Sequence, residues 1–209
     1  KPGFDPLVAR PRHIQLIIDE LLNHPPFKTN LHQNRIGIIG FSLGTYTALT
    51  VAGAKPGLSG LATYCTTNIK DALLCSTQAS QRFTAIAPNL ISQRDNRIGG
   101  AVLLAPAYGP LFSKNSLANV KIPVRLFSAE KDQELNNRYN AQHFEEFLPN
   151  TASIEVIKDA GHFVFMAPCP EGLKRAVPFI CEDAESVDRV AVHQKLNRDI
   201  AKFFNEVLK

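Results

Sequence analysis

Residue types suited to nucleophilic catalysis stand at well-separated points of the chain: a serine at 42, acids at 130 and 132, and a histidine at 162. A serine hydroxyl is a weak nucleophile at neutral pH and needs a base within hydrogen-bond reach. A histidine can take that proton and later return it to a leaving group, while a carboxylate on its other ring nitrogen fixes the tautomer. Ser42 is the centre of Gly40-Phe41-Ser42-Leu43-Gly44. In such a pattern the serine sits on a tight strand-to-helix turn, and the glycines serve where neighbouring backbone comes close. Gly and Ser are common enough that the pattern arises by chance in roughly one chain of this size in fifteen. Its context must therefore decide.

That context fits. Arg35 to Ile39 reads as a short buried strand and Leu43 to Ala54 as a helix. Further apolar strands are expected at Ile98 to Ala105, Ile122 to Ala129 and Ala152 to Lys158, with helices over Asn136 to Leu148 and Glu185 to Leu208. The face of the last helix is Val187, Val190, Ala191, Leu196, Ile200, Phe203, Phe204 and Val207. Strands alternating with helices predict an α/β fold, a mostly parallel sheet covered on both faces.

Functional groups in such a sheet gather at the carboxyl ends of its strands. After the first strand comes Ser42, after the second Pro106-Ala107-Tyr108, after the third Ala129-Glu130-Lys131-Asp132, and after the fourth Asp159-Ala160-Gly161-His162. The order serine, acid, histidine is the one that accompanies a serine on this kind of turn. Asp132 is the preferred acid, because a short side chain beyond the strand end suits a buried partner, and Glu130 is the alternative. Asp159 is too near His162 in the chain and reads as a turn residue. Gly161 is expected to let the loop turn sharply. His13, His143 and His193 fall on helices, His24 at a helix end and His32 in a loop, so none competes with His162. The N–H of Leu43 is the expected oxyanion donor, and the sequence offers no candidate for a second.

The remaining stretches are less regular. Lys1 to Arg10 reads as a lead-in without periodicity, and Pro11 suits the first turn of a helix. Ile14, Ile17, Ile18, Leu21 and Leu22 then form one helical face, ended by His24-Pro25-Pro26. Positions 58–97 hold a short helix near Ile69 to Leu74 and a loop rich in Ser, Gln and Asn. A substrate cap or lid is expected there.

The 209 residues, 44% of them hydrophobic, suffice for one core, so a single domain over 1–209 is expected. With 23 basic and 19 acidic residues dispersed along the chain, no nucleic-acid stripe is present, and no apolar run is long enough to span a bilayer. The cysteines are not in C-x-x-C pairs and no histidines have the spacing of a zinc-protease helix, so neither metal nor other cofactor is expected. Position 1 is Lys and Met166 is the only methionine, so the chain is read as cut, processed or trimmed at its start, where a signal peptide would not be observable.

The chain resembles the α/β-hydrolase superfamily, in particular the bacterial predicted dienelactone hydrolases and the platelet-activating-factor acetylhydrolases. The resemblance is carried by Arg10-Pro11-Arg12, Ile38 to Gly44, Leu104 to Ala107, Ala160-Gly161-His162-Phe163, Ala167-Pro168-Cys169, Ile180-Cys181, Val187-Asp188-Arg189, Leu196-Asn197 and Phe203-Phe204. It implies a serine esterase acting on a small carboxylic ester or lactone, with an N-terminally incomplete fold. Dienelactone hydrolases use cysteine where this chain has Ser42. The other reading is a hydrolase-like binding or scaffold protein without turnover. The resemblance also implies a strand beside Arg35 to Ile39, absent from this sequence, so that edge is expected to be covered by an upstream segment or a second copy.

Four cysteines allow three pairings. Cys65 with Cys75 and Cys169 with Cys181 close short loops and need no distant approach. Two such bridges imply an oxidising compartment, the bacterial periplasm or the cell exterior, and four buried thiols would imply the cytosol.

Overall fold

The computed structural model describes residues 5–150 and 154–209. Among them the apolar runs form β1 (Ile36–Phe41), β2 (Ile98–Leu104), β3 (Val124–Ala129) and β4 (Glu155–Ile157). All neighbouring pairs are parallel, in the order β1-β2-β3-β4. The start expected for the fourth strand, Ala152, lies outside the described residues. Along the chain, α1 (Pro6–Asn23) and the single turn α2 (Pro25–Lys28) precede β1. Between β1 and β2 lie α3 (Leu43–Val51), α4 (Ser59–Thr67), α5 (Ala72–Cys75) and α6 (Thr77–Ile86). Then come α7 (Lys114–Leu117) before β3, α8 (Ala141–Phe147) before β4, and α9 (Glu171–Ala176), α10 (Pro178–Cys181) and α11 (Arg189–Val207) after it.

Because side chains alternate across a strand, each strand feeds two layers. Ala101, Leu103, Val124 and Leu126 meet Leu7 of α1, Tyr46 and Leu49 of α3, Phe83 of α6 and Phe144 of α8. Val102, Leu104, Phe127 and Ala129 meet Val164, Phe165 and Leu196, with Ile200, Phe203 and Phe204 of α11 beside them. Helices thus cover both faces of a parallel sheet, the arrangement its near-continuous apolar strands require. Positions 58–97 contribute Leu61, Tyr64, Leu74, Ala79, Phe83 and Leu90 to the first of these layers. The cysteines are bonded as Cys65–Cys75 and Cys169–Cys181, with Cα separations of 5.4 and 5.6 Å.

Several boundaries differ from the sequence expectation, each for a local reason. Residues 6–10 are helical rather than a lead-in, because Asp5 caps the helix, its side chain accepting the Leu7 N–H at 2.9 Å with Pro6 behind it. Pro11 consequently lies inside α1. The apolar face of α1 is split: Ile18 packs on Val51 and Ile98 with Ile14 and Leu22, while Ile17 and Leu21 are exposed. The short helix expected near Ile69 to Leu74 lies at Ala72–Cys75, where the Asp71 side chain caps it by accepting the Leu74 N–H at 3.1 Å. β3 starts at Val124, since Pro123 has no N–H for the ladder. The helix expected over Asn136 to Leu148 breaks at Asn140. That residue is buried and turns its amide to the Gly109 N–H and the Asn136 carbonyl, at 3.0 and 2.9 Å. The last helix starts at Arg189, where Asp188 caps it by accepting the Ala191 N–H at 3.0 Å. Val187 therefore precedes the helix, and Val190 points outward.

Candidate active site

The turn between β1 and α3 sets the site. Ser42 holds φ 51° and ψ −122°, a conformation that L-residues rarely adopt. Its N–H donates to the Leu104 carbonyl at 2.9 Å, tying the turn to β2. A Cβ added at Gly40 would lie 2.5 Å from the Gly44 carbonyl oxygen, so the close return of the backbone admits only glycine there. Gly44 differs from expectation: a Cβ on it would meet nothing within 4 Å among the described residues.

The carboxyl ends of β3 and β4 bring the other two groups to this turn. The Ser42 Oγ lies 3.0 Å from His162 Nε2, and His162 Nδ1 lies 2.8 Å from Asp132 Oδ2. If Nδ1 carries the proton toward the carboxylate, Nε2 is free to accept the Ser42 hydroxyl proton. Both partners are withdrawn from water, with side-chain exposures of 4% for His162 and 1% for Asp132. Asp132 Oδ1 accepts the N–H groups of Glu134 and Leu135 at 3.0 and 2.8 Å, so the carboxylate is held from both sides.

The alternative acid is occupied elsewhere. Glu130 Oε2 accepts the Asp159 N–H at 2.9 Å. Asp159 has φ 58° and pairs with Lys131 at 2.5 Å, which makes it the turn residue before the histidine loop. Gly161 corrects another expectation. Its φ of −90° and ψ of 175° are extended values open to any residue. What crowds it is Gln133, whose Oε1 would stand 2.8 Å from an added Cβ and accepts the His162 N–H at 3.3 Å.

Aromatic rings complete the surroundings. Phe41 lies against the imidazole with centroids 4.9 Å apart, and Phe163 meets it edge-on at 5.1 Å. Two of the other histidines are engaged elsewhere: the ring of His193 bonds the Val164 carbonyl and that of His143 the Phe112 carbonyl. Sequence reasoning passed over Gln133, Phe41 and Thr45, which contact the site through a backbone amide, a ring face and the Ser42 carbonyl. Of these only Thr45 carried a signal, being a hydroxyl residue in the first helical turn. Among the described residues, no group of His, Cys, Asp and Glu side chains is arranged to hold a metal ion, and no helix is long and apolar enough to cross a membrane.

No protein-family model matches the chain, and no curated protein matches it. Solved structures give low-identity matches. One is a predicted CIB-like hydrolase of Thermoplasma acidophilum, at 13% identity and TM-score 0.44 over 83% of this chain and 59% of that one. A second is MGS-MChE2, an α/β hydrolase enzyme from a lagoon-sediment metagenome of Mar Chica, Morocco, at 16% identity and TM-score 0.42, over 83% and 68%. A third is the esterase Pf2001 of Pyrococcus furiosus, at 15% identity and TM-score 0.46, over 99% and 66%. The chain thus spans 59 to 68% of their lengths, less than two thirds of the first. Its own parallel sheet, with helices on both faces and a serine turn after β1, has the architecture of an α/β-hydrolase fold.

Proposed function

We propose that this chain carries the catalytic part of a serine hydrolase that cleaves a carboxylic ester or lactone through an acyl-enzyme on Ser42. The observation that carries the proposal is the 3.0 Å approach of His162 Nε2 to an Oγ presented on a positive-φ turn. In the reaction, Oγ attacks the ester carbonyl carbon as its proton passes to Nε2. Asp132 holds the resulting imidazolium, and the Leu43 N–H faces the oxygen on which negative charge grows. Collapse of the tetrahedral species breaks the bond to the alkoxide, which leaves with the proton from Nε2. Water then enters by the same steps in reverse and frees the acid and Ser42. No cofactor takes part in this scheme. The resemblance to dienelactone hydrolases and platelet-activating-factor acetylhydrolases directs the substrate search to small esters and lactones. The helices of positions 58–97, where Tyr64 meets Tyr139 edge-on at 5.0 Å, are the segment proposed to shape substrate access. Two disulfides favour an oxidising compartment, the periplasm or the exterior of a bacterial cell.

A second reading is a hydrolase-like scaffold without turnover, favoured by one observation: beside the Leu43 N–H, the sequence offers no candidate for a second oxyanion donor. Losing one donor typically costs a factor of about 10² to 10³ in rate. A fluorophosphonate probe and a series of p-nitrophenyl esters separate the two. Labelling of Ser42 with ester turnover, both lost in Ser42→Ala, is the expected result. Absence of both from the folded parent, or their survival in Ser42→Ala, overturns the proposal.

A further inference from the structure

The first turn of α3 carries a polar side chain that the scheme above leaves unused. Thr45 is fully buried. Its Oγ1 donates to the Ser42 carbonyl at 2.6 Å and accepts the Ala107 N–H at 2.9 Å. Its own N–H reaches the same Ser42 carbonyl at 2.9 Å. One residue thus supplies two donors that fix the direction of a single C=O. A trans peptide is planar, so its C=O and the N–H that follows point in opposite directions. Fixing the Ser42 carbonyl therefore also fixes the Leu43 N–H. That group is the first N–H of α3, which no intrahelical carbonyl can accept. The far end of the clamp is just as constrained. Ala107 lies in the turn leaving β2, where Ala105 and Tyr108 hold φ values of 41° and 63°. Non-glycine residues keep such conformations only where their surroundings impose them.

We propose that Thr45 is a positioning residue that aims the oxyanion-binding N–H of Leu43, by clamping the Ser42 carbonyl to the turn after β2. The proposal deepens the serine-hydrolase reading and rests on it. A valine at 45 would keep the shape and lose both hydrogen bonds of the hydroxyl, leaving the Ser42 carbonyl with the Thr45 amide alone. The oxyanion charge exists in the transition state and not in the bound ester, so a donor that has lost its aim lowers kcat and leaves KM nearly unchanged.

The test compares Thr45→Val and Thr45→Ser with the parent on a p-nitrophenyl ester. Thr45→Val should lose about tenfold or more in kcat with KM changed by no more than about twofold, and Thr45→Ser should recover most of the loss. A folded Thr45→Val with kcat near the parent value, or a loss confined to KM, overturns the inference. Amide ¹⁵N relaxation gives a reading that needs no turnover. The Leu43 order parameter should fall in Thr45→Val from the value of about 0.85 typical of rigid backbone, while that of Thr47 holds; an unchanged Leu43 value overturns the inference. A parent that turns over no ester, or a Ser42→Ala variant that still does, counts against the proposed function instead, and relaxation then decides the role of Thr45. Should Thr45→Val fail to fold, Thr45→Ala is read in the same ways.

Discussion

Asp132 meets His162 through one carboxylate oxygen, Oδ2 at 2.8 Å from Nδ1, and anchors the other oxygen on two backbone N–H groups of its own loop. The carboxylate is thus oriented before any substrate arrives. Asp132→Asn keeps the size and most of the anchoring, but its amide can present N–H to Nδ1 and favour the wrong tautomer. We expect kcat to fall by about 10⁴ with little change in melting temperature. Glu130→Gln should stay within about threefold of the parent, since Glu130 only supports the turn at Asp159. Steady-state rates with p-nitrophenyl acetate check both. A larger loss for Glu130→Gln than for Asp132→Asn would reverse the assignment.

Much of this arrangement was legible because it is local or periodic. The Ser42 turn is announced by glycines on either side, β2 by an unbroken apolar run, and β3 by a run interrupted at Arg125 and Ser128, as a sheet buried on both faces favours. The choice between Asp132 and Glu130 was legible only as side-chain length, and the contact of Glu130 Oε2 with the Asp159 N–H explains where the longer acid goes. What escaped was decided by partners distant in sequence. Asn140 breaks a helical pattern because Gly109, 31 residues away, needs an acceptor. Ile17 and Leu21 fit the apolar face of α1 by spacing and still lie exposed, since spacing does not say what stands opposite.

His143 provides a pH test away from the site. Burial, set against a hydrogen bond to the Phe112 carbonyl and the charge of Glu146, holds its pKa below the ordinary 6.5. The unfolded chain therefore binds the proton first as pH falls. Stability from this group is full above about pH 6.5 and is lost below it, until the folded protein titrates too. The slope cannot exceed about 1.4 kcal/mol per pH unit for one proton. Urea unfolding at pH 7.5 and 5.5 should show a smaller loss of stability on acidification in His143→Gln than in the parent. Equal losses would remove His143 as the source.

The two disulfides should act on stability and not directly on chemistry, because neither bonded pair touches Ser42, Asp132 or His162. Their sequence separations of 10 and 12 residues place each near 2–3 kcal/mol in the chain-entropy account. Cys65→Ser/Cys75→Ser should lower the urea midpoint accordingly while probe labelling of Ser42 persists. Alkylation of the unreduced, denatured parent should add no mass. Four alkylated thiols would remove both bridges, and with them the argument for an oxidising compartment.

β1 is an edge strand among the described residues, and its open side can be read residue by residue. The Ser42 N–H points to β2, where it meets the Leu104 carbonyl. Alternation over the regular part of the pairing then turns the N–H and C=O groups of Gly40 and Ile38 toward β2, and those of Phe41 and Ile39 toward the open edge. Ile39 is 53% exposed there. Alongside runs a groove of about 510 Å³ lined in part by Leu21, Leu31, Ile36, Phe204 and Leu208. An apolar, β-branched edge of this kind is a template for pairing with another strand. We expect it to be covered in the working protein, by a segment upstream of this sequence or by a second copy of the chain. Hydrogen exchange with light scattering tests this, with the Ile38 amide as internal control because β2 protects it in every case. If the edge is covered, the Ile39 and Phe41 amides should exchange as slowly as Ile38, in a species larger than the 23.0 kDa of this chain. A monodisperse 23.0 kDa monomer in which Ile39 and Phe41 exchange fast beside a protected Ile38 would sink the idea.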